Sequence, residues 1–305
     1  MNNLLVAASA LQYLSPHDRD EWCEAAMMLK SEFGDTAFDI WDEWSQQGAT
    51  YNARDARAVW KSCKASGGLT IGSLYYRAKQ NGWPGSSDYI QPSRSETAAR
   101  KLARQADQQR AEAEHNAKHA EVAVKALNRW NGYQAVSPQH GYLQCKQIQP
   151  LHLRQNGTAL VVPMYSAGAL VNLQYIWPDG TKRFMKGGQV VGAYAFIGQL
   201  GDVLYICEGY ATGATIHQIT NQGVLCALSA WNLMNIACQA REDHPAAHIV
   251  ICGDNDHNTP NNPGVTAAHE AAMAIGAEVM IPEFPAGHPG ADWNDYYLME
   301  QEAAQ

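Results

Sequence analysis

The stretch HIVICGDNDHNTPNNPG, residues 248–264, decides the fold. An apolar run from Ile249 to Cys252 stops abruptly at Asp254 and Asp256, with no lysine or arginine beside either. In open α/β sheets, ligands bind beyond the carboxyl ends of the strands. Two bare carboxylates there repel and raise each other's pKa, and a bound divalent cation relieves this. The D-x-D spacing puts alternate side chains on one side of an extended segment, so both can reach one metal.

The surrounding sequence repeats this design. From residue 202 the pattern is strand then helix: VLYICEG, YATGATIHQITNQ, VLCALS, a helix around NLMNIACQAR, AHIVICGDND, GVTAAHEAAMAIG and AEVMIPEFP. Apolar strands alternating with helices predict a parallel sheet covered on both faces. The first strand ends at Glu208-Gly209, and the loop beyond the last, GADWNDYY, carries Asp292 and Asp295. Each signal alone also fits an ordinary solvated turn. The ordered set is more specific: strand-E-G, about 45 residues, strand-D-x-D, about 35 residues, then D-x-x-D.

That set, over residues 202–298, resembles the Toprim domain shared by bacterial-type DNA primases, topoisomerases and some nucleases. ICEGYATGATIH looks like the family's glutamate motif, ICGDNDHN like its aspartate motif, and GADWNDYYL like the acidic motif of its primase members. LCALSAWNL resembles the intervening strand of phage and plasmid primases.

Upstream, residues 5–83 read as a small helical domain with four helices: one opened by a Ser15 cap with Pro16 at the first helical position, then about 36–46, 52–65 and 70–81. The tryptophans at 22, 41, 44, 60 and 83 are expected in its core. This segment resembles a helical domain that accompanies primases of mobile elements. Residues 84–129 read as a linker and long helix, with Ser93-x-x-Glu96 as a capping box and a thin apolar stripe of Leu102, Ala106, Ala113, Val124 and Leu127. The thinness of the stripe favours a spacer. Residues 130–200 alternate, with turns at Ser166-Ala167-Gly168 and Asp179-Gly180, and predict antiparallel strands. They resemble the strand-rich part that precedes Toprim in primases. The fold class is therefore multidomain, α plus α/β: helical domain, long helix, basic strand-rich module, then a Toprim domain at 201–299 with a mainly parallel sheet.

Charge follows this division. The chain of 305 residues has a net charge of −8, yet residues 130–200 hold five Lys/Arg against one acid, and residues 201–305 hold only Arg241 against thirteen acids. Such blocks suit polyanions and cations respectively. No apolar run approaches the length of a membrane span, and MNNLLVAASALQYL lacks the basic start of a signal peptide. The seven cysteines are scattered without a C-x-x-C pair, so neither a disulfide framework nor a zinc site is expected. The expected location is the cytoplasm of a bacterial host.

The resemblance implies roles residue by residue. Glu208 would sit beside the 3′-hydroxyl nucleophile as metal ligand or proton acceptor; Asp254 and Asp256 would hold Mg²⁺, or Mn²⁺ in its place, against nucleotide phosphates. Asp292, Asp295 or both would complete the cation site. Lys182, Arg183 and Lys186 are the candidates for phosphate contacts, against the alternative of a solvated hairpin end. His257 could approach a phosphate. The implied activity is primer synthesis from ribonucleoside triphosphates on single-stranded DNA, with a replicative helicase as partner and no membrane. Competing readings are a Toprim nuclease with the same metal geometry and a non-catalytic replication adaptor.

Overall fold

The computed structural model describes residues 2–63, 68–87 and 93–304. The chain divides into two units, Met1–Gln105 and Ala106–Gln305.

The first unit is helical: α1 (Asn2–Leu11), α2 (Arg19–Phe33), a 3-10 turn at Gly34–Ala37, α3 (Phe38–Ser45), α4 (Ala53–Ser62) and α5 (Ile71–Gln80). The five tryptophans are its core, as expected. Trp22, Trp41 and Trp60 pack in sequence, with centroids 4.7 and 5.3 Å apart. A buried indole N–H needs an acceptor; Trp22 donates to Ser45 Oγ at 2.7 Å, Trp60 to Asp35 at 2.9 Å and Trp83 to Ser9 at 2.9 Å. One expectation is corrected, and one helix is added. The cap of α2 is Asp18, which accepts from the Glu21 amide at 2.8 Å, while Ser15 instead donates its backbone N–H to the Glu21 carboxylate. Residues 2–11, which hold none of the four helices read from sequence, form α1, which buries Val6, Ala7, Ala10 and Leu11. Residues 64–65, assigned to the third expected helix, and 88–92 of the linker lie outside the described residues, as does the Glu96 side chain of the capping box.

Helix α6 (Arg94–Gly132) has 39 residues. Its last third is no spacer: Val122 and Ala126 are buried, the latter in a cluster with Val161 and Leu173. The stripe read from sequence is not the packing face, since Leu102, Val124 and Leu127 stay exposed.

The second unit continues with α7 (Gly141–Lys146) and a four-stranded antiparallel sheet, β1 (Arg154–Asn156), β2 (Ala159–Ser166), β3 (Ala169–Ile176) and β4 (Lys182–Phe184), paired in chain order. There follow β5 (Ala195–Ile197), β6 (Val203–Cys207), α8 (Tyr210–Thr220), β7 (Gly223–Cys226), α9 (Leu233–Asp243), β8 (His248–Cys252), α10 (Pro263–Ile275), β9 (Glu278–Met280) and α11 (Trp293–Ala303). Their sheet has the order β5-β7-β6-β8-β9 and is parallel except for the edge strand β5. The central strands are apolar at nearly every position because both faces are covered. Leu204, Ile206, Ile249 and Ile251 pack under α9 and α10, whereas Cys207, Val224, Val250 and Cys252 face the core containing Tyr210 and Ala214 of α8. From β6 the chain passes to β7 on one side, and its other neighbour is β8, so the strand order switches at the end of β6. Ligands bind at such switch points. No helix among the described residues is long and apolar enough to cross a membrane.

Candidate active site

Parallel pairing of Cys207 with Cys252 brings the carboxyl ends of β6 and β8 out side by side. Glu208 therefore emerges next to Gly253-Asp254. A Cβ at Gly253 would stand 2.5 Å from Ala268 Cβ, so only glycine lets β8 end this close under α10. In the D-N-D segment the alternation holds. Asn255 turns away and ties the loop down, donating from Nδ2 to the Pro282 carbonyl at 2.8 Å and from its amide to Ala291 at 2.7 Å. Asp256 Oδ2 accepts the Gly264 amide at 3.0 Å, at the start of α10. Asp254 Oδ1 is buried without a hydrogen-bond partner.

The electrostatics are those of like charges confined together. Burial, then Asp256, raises the Glu208 pKa; Lys182 and the Ala230 amide oppose this. Asp254 is pushed up to about 8 by burial, then by Glu208, Asp292 and Asp256, with Lys182 again opposing. An unpartnered buried carboxylate oxygen among three other carboxylates carries charge that a cation would neutralise. The donors are all oxygen, which suits a hard divalent ion. Among the described residues, no three His, Cys, Asp or Glu side chains are already drawn together as a metal cage. The residues thus fit a divalent cation in chemistry and charge, while the side chains stand apart.

The two acids of the last motif occupy different positions. Asp295 is engaged at both oxygens, by Lys146 Nζ at 2.8 Å and the Ala291 amide at 3.1 Å. Burial raises its pKa, but Lys146 and that amide hold it below the usual range. Asp292 caps α11 by accepting the Asp295 amide at 2.8 Å, has its other oxygen 3.7 Å from Lys146, and acts on both Glu208 and Asp254. The structure brings Asp292 to the other carboxylates and gives Asp295 to Lys146.

Of the basic candidates, Lys182 reaches the site. Its Nζ lies 3.9 Å from where a Cβ on Gly209 would sit, beside the N-terminus of α8, which has no side-chain cap. Arg183, the next residue on β4, points to the opposite face, and Lys186 follows beyond the strand; both are exposed. His257 is held between the carbonyls of Asn255 and His288, at 3.0 and 2.9 Å, and clips two loops together.

Sequence reading missed several parts. Lys146 carries no motif. Asn294, fully buried, donates to the Lys146 carbonyl at 2.7 Å and Thr215 at 2.8 Å, clamping α11 to α7 and α8. The turn after β7 holds Leu228 at a φ of 63°, with its amide on the Glu208 carbonyl at 2.6 Å. A non-glycine residue in that region is strained, and such strain concentrates at functional sites.

A glutamate and a D-x-D pair at the ends of adjacent parallel strands define the Toprim class, and residues 203–303 match the family model described as Toprim domain. Residues 7–78 match the model described as Primase C terminal 2 (PriCT-2). The chain thus carries a match to a Toprim domain and, ahead of it, a match to a primase C-terminal domain. It is 32% identical over 204 residues to an Escherichia coli DNA primase TraC, covering 62% of this chain and 19% of the relative. A second TraC from Escherichia coli is 32% identical over 156 residues, covering 47% of this chain and 11% of the relative. The chain thus spans about a fifth or less of the length of these curated relatives. Among solved structures, the primase fragment of the bacteriophage T7 primase-helicase superposes with a TM-score of 0.39 at 15% identity, covering 55% of this chain and 70% of that one. The DnaG primase catalytic domain bound to single-stranded DNA gives 0.39 at 12% identity, covering 62% and 76%.

Proposed function

We propose that this chain is a DNA primase of mobile-element type, which synthesises short RNA primers on single-stranded DNA by Mg²⁺-dependent nucleotidyl transfer. The observation that carries this is the group Glu208, Asp254, Asp256 and Asp292 around the unpartnered Asp254 oxygen at the switch point of a Toprim sheet. The TraC relatives, primases by name, support it.

In the reaction a primer 3′-oxygen attacks the α-phosphorus of the next ribonucleoside triphosphate. The bond to the leaving oxygen breaks and pyrophosphate departs. Asp254, Asp256 and Asp292 would hold the divalent ion, which when bound neutralises phosphate charge and lowers the barrier to attack. Glu208, whose pKa is raised by burial and Asp256, is a stronger base than an ordinary carboxylate and is suited to accept the 3′-hydroxyl proton. Lys182 supplies a positive charge to the phosphates beside the uncapped N-terminus of α8. Arg183 and Lys186, exposed on the basic module, are assigned to the template backbone. A replicative helicase partner, a phage or plasmid setting and the bacterial cytoplasm complete the proposal.

The test is to incubate the chain with single-stranded DNA, labelled ribonucleotides and Mg²⁺, beside the Asp254→Ala/Asp256→Ala variant. Short RNA from the wild type alone supports the assignment. Metal-dependent loss of the template without RNA overturns it in favour of a nuclease.

A further inference from the structure

Away from the carboxylates, a cavity of about 370 Å³ opens at the β5 edge of the five-stranded sheet, against α9. Tyr165, Tyr194, Phe196 and Ile236 form its apolar walls, and Gln239 and Asp243, in the last turns of α9, line its polar end. The cavity lies where the two sheets of this unit are joined. Tyr165 and Tyr194 exchange backbone hydrogen bonds of 2.7 and 3.0 Å, so the two tyrosines are fixed relative to one another. Among the described residues, none of the three rings packs on another aromatic side chain.

The polar end is an acceptor. Asp243 ends α9, where the last carbonyls also carry negative partial charge. Gln239 Nε2 steadies its carboxylate at 3.3 and 3.2 Å without occupying both lone pairs of either oxygen. Burial, then Asp243, keeps the Tyr194 phenol protonated. No lysine or arginine lines the cavity, though His152 and His244 also line it. Aromatic walls call for a planar ring, and a carboxylate end calls for two adjacent N–H donors. Ligand pockets run from about 300 Å³ upward, so this one has room for a purine with part of its sugar.

We propose that this cavity binds a guanine base, with its N1–H and N2–H groups on the Asp243 carboxylate and its ring between the tyrosines and Phe196. The other bases fail for a stated reason. Adenine and cytosine each present an acceptor beside their amino group, and uracil flanks its single N–H with two acceptors; each would set an acceptor against the carboxylate. The same chemistry serves a free guanine nucleotide or a guanine in a strand. The site is separate from the metal-binding carboxylates, and binding there does not require the chain to be a primase.

The test uses the full chain in EDTA, which silences binding through a divalent ion, and equilibrium dialysis with GMP, AMP, CMP and UMP. GMP is expected to bind saturably and about tenfold or more tighter than the others, the scale set by unpaired polar groups in such sites. Asp243→Asn, an exposed substitution at a helix end, is expected to weaken GMP about tenfold or more, while Asp254→Asn leaves it unchanged. A single-stranded oligonucleotide with one guanine displaces GMP at lower concentration than GMP itself if a strand is the natural source, and fails to do so if a free nucleotide is. Equal binding of all four monophosphates, no saturable binding in the millimolar range, or loss with Asp254→Asn in place of Asp243→Asn overturns the proposal. Primer synthesis is scored separately, so failure of either reading leaves the other standing.

Discussion

Lys146 donates to Asp295 at 2.8 Å, a contact that joins the end of α7 to the first turn of α11 across 149 positions of sequence. Lys146 holds Asp295 more closely than Asp292, whose nearer oxygen is 3.7 Å away. Asp295 spends its charge on this pair, and Asp292 faces Glu208 and Asp254. Asp295→Ala should therefore destabilise the chain by about 1–3 kcal/mol, the range for orphaning a part-buried partner. Its primer synthesis, assayed well below the melting temperature, should stay within about threefold of wild type, since electrostatic losses of that size lie under about 1 kcal/mol. Asp292→Ala should lower synthesis about 100-fold, as loss of a group that stabilises developing charge does. Equal losses of activity from the two variants would contradict the division.

The Asp254 carboxylate makes metal-free stability fall as pH rises. Its folded pKa of about 8 lies above the ordinary value for aspartate, about 4. Below both values the group is protonated in either state and contributes nothing. Between them the folded chain keeps a proton that the unfolded chain has released, so folding weakens as pH climbs. The facing groups are Glu208, Asp292 and Asp256, with Lys182 opposing; Glu208, raised for the same reason, adds in the same direction. Urea unfolding in EDTA between pH 5 and 8 should show declining stability. Asp254→Asn should flatten the decline and gain about 2 kcal/mol at the alkaline end, the order of an unsatisfied buried polar group. Adding a divalent cation should reduce the decline in the wild type. A pH-independent wild type would remove the basis for reading this carboxylate as unneutralised.

Gly264 is fixed by contact rather than by backbone freedom. A Cβ there would lie 2.5 Å from the Asp254 carbonyl oxygen and 2.9 Å from Asp256 Oδ2. The first is backbone and cannot swing aside. Gly264→Ala should destabilise the chain by about 1–3 kcal/mol, as overpacking does, and should cut primer synthesis by displacing both aspartates. Gly132→Ala, where a Cβ meets nothing within 4 Å, is the control and should change neither.

How much was legible from sequence follows from where the determinants lie. Glu208, Asp254 and Asp256 could be found because each ends a strand whose apolar run marks it as buried, and parallel pairing then brings those ends together. Lys146 could not, since nothing local in GYLQCK says that it will meet α11. The α2 start misled because Ser15 and Asp18 are both good caps; the Glu21 side chain, reaching back to the Ser15 amide, leaves Asp18 to cap. On α6, alanine and valine occupy both packed and solvated faces. No composition signal separates Val122 and Ala126, which are buried, from Val124 and Leu127, which are not. The Tyr165–Tyr194 junction is a two-residue bridge between separate sheets, and no periodicity announces it.

Lys182 and Arg183 are adjacent on β4, yet strand alternation sends their side chains to opposite faces, which separates their expected roles. Lys182 lowers the pKa of both Glu208 and Asp254. Removing it as Lys182→Met should raise both further, so the acid limb of the pH–rate profile should move to higher pH and the rate at neutral pH should fall. Its effect on affinity for single-stranded DNA should be small. Arg183→Ala with Lys186→Ala should do the reverse, leaving the pH limb in place while lowering the salt slope of DNA binding by about 1.4, at about 0.7 per phosphate contact on single strands. Both quantities come from one set of proteins, by primer assays across pH and by fluorescence anisotropy across salt. If Lys182→Met lowers the salt slope as much as the double variant and leaves the pH limb unmoved, then Lys182 belongs to the template surface, and the charge opposing Glu208 and Asp254 plays no part in the chemistry.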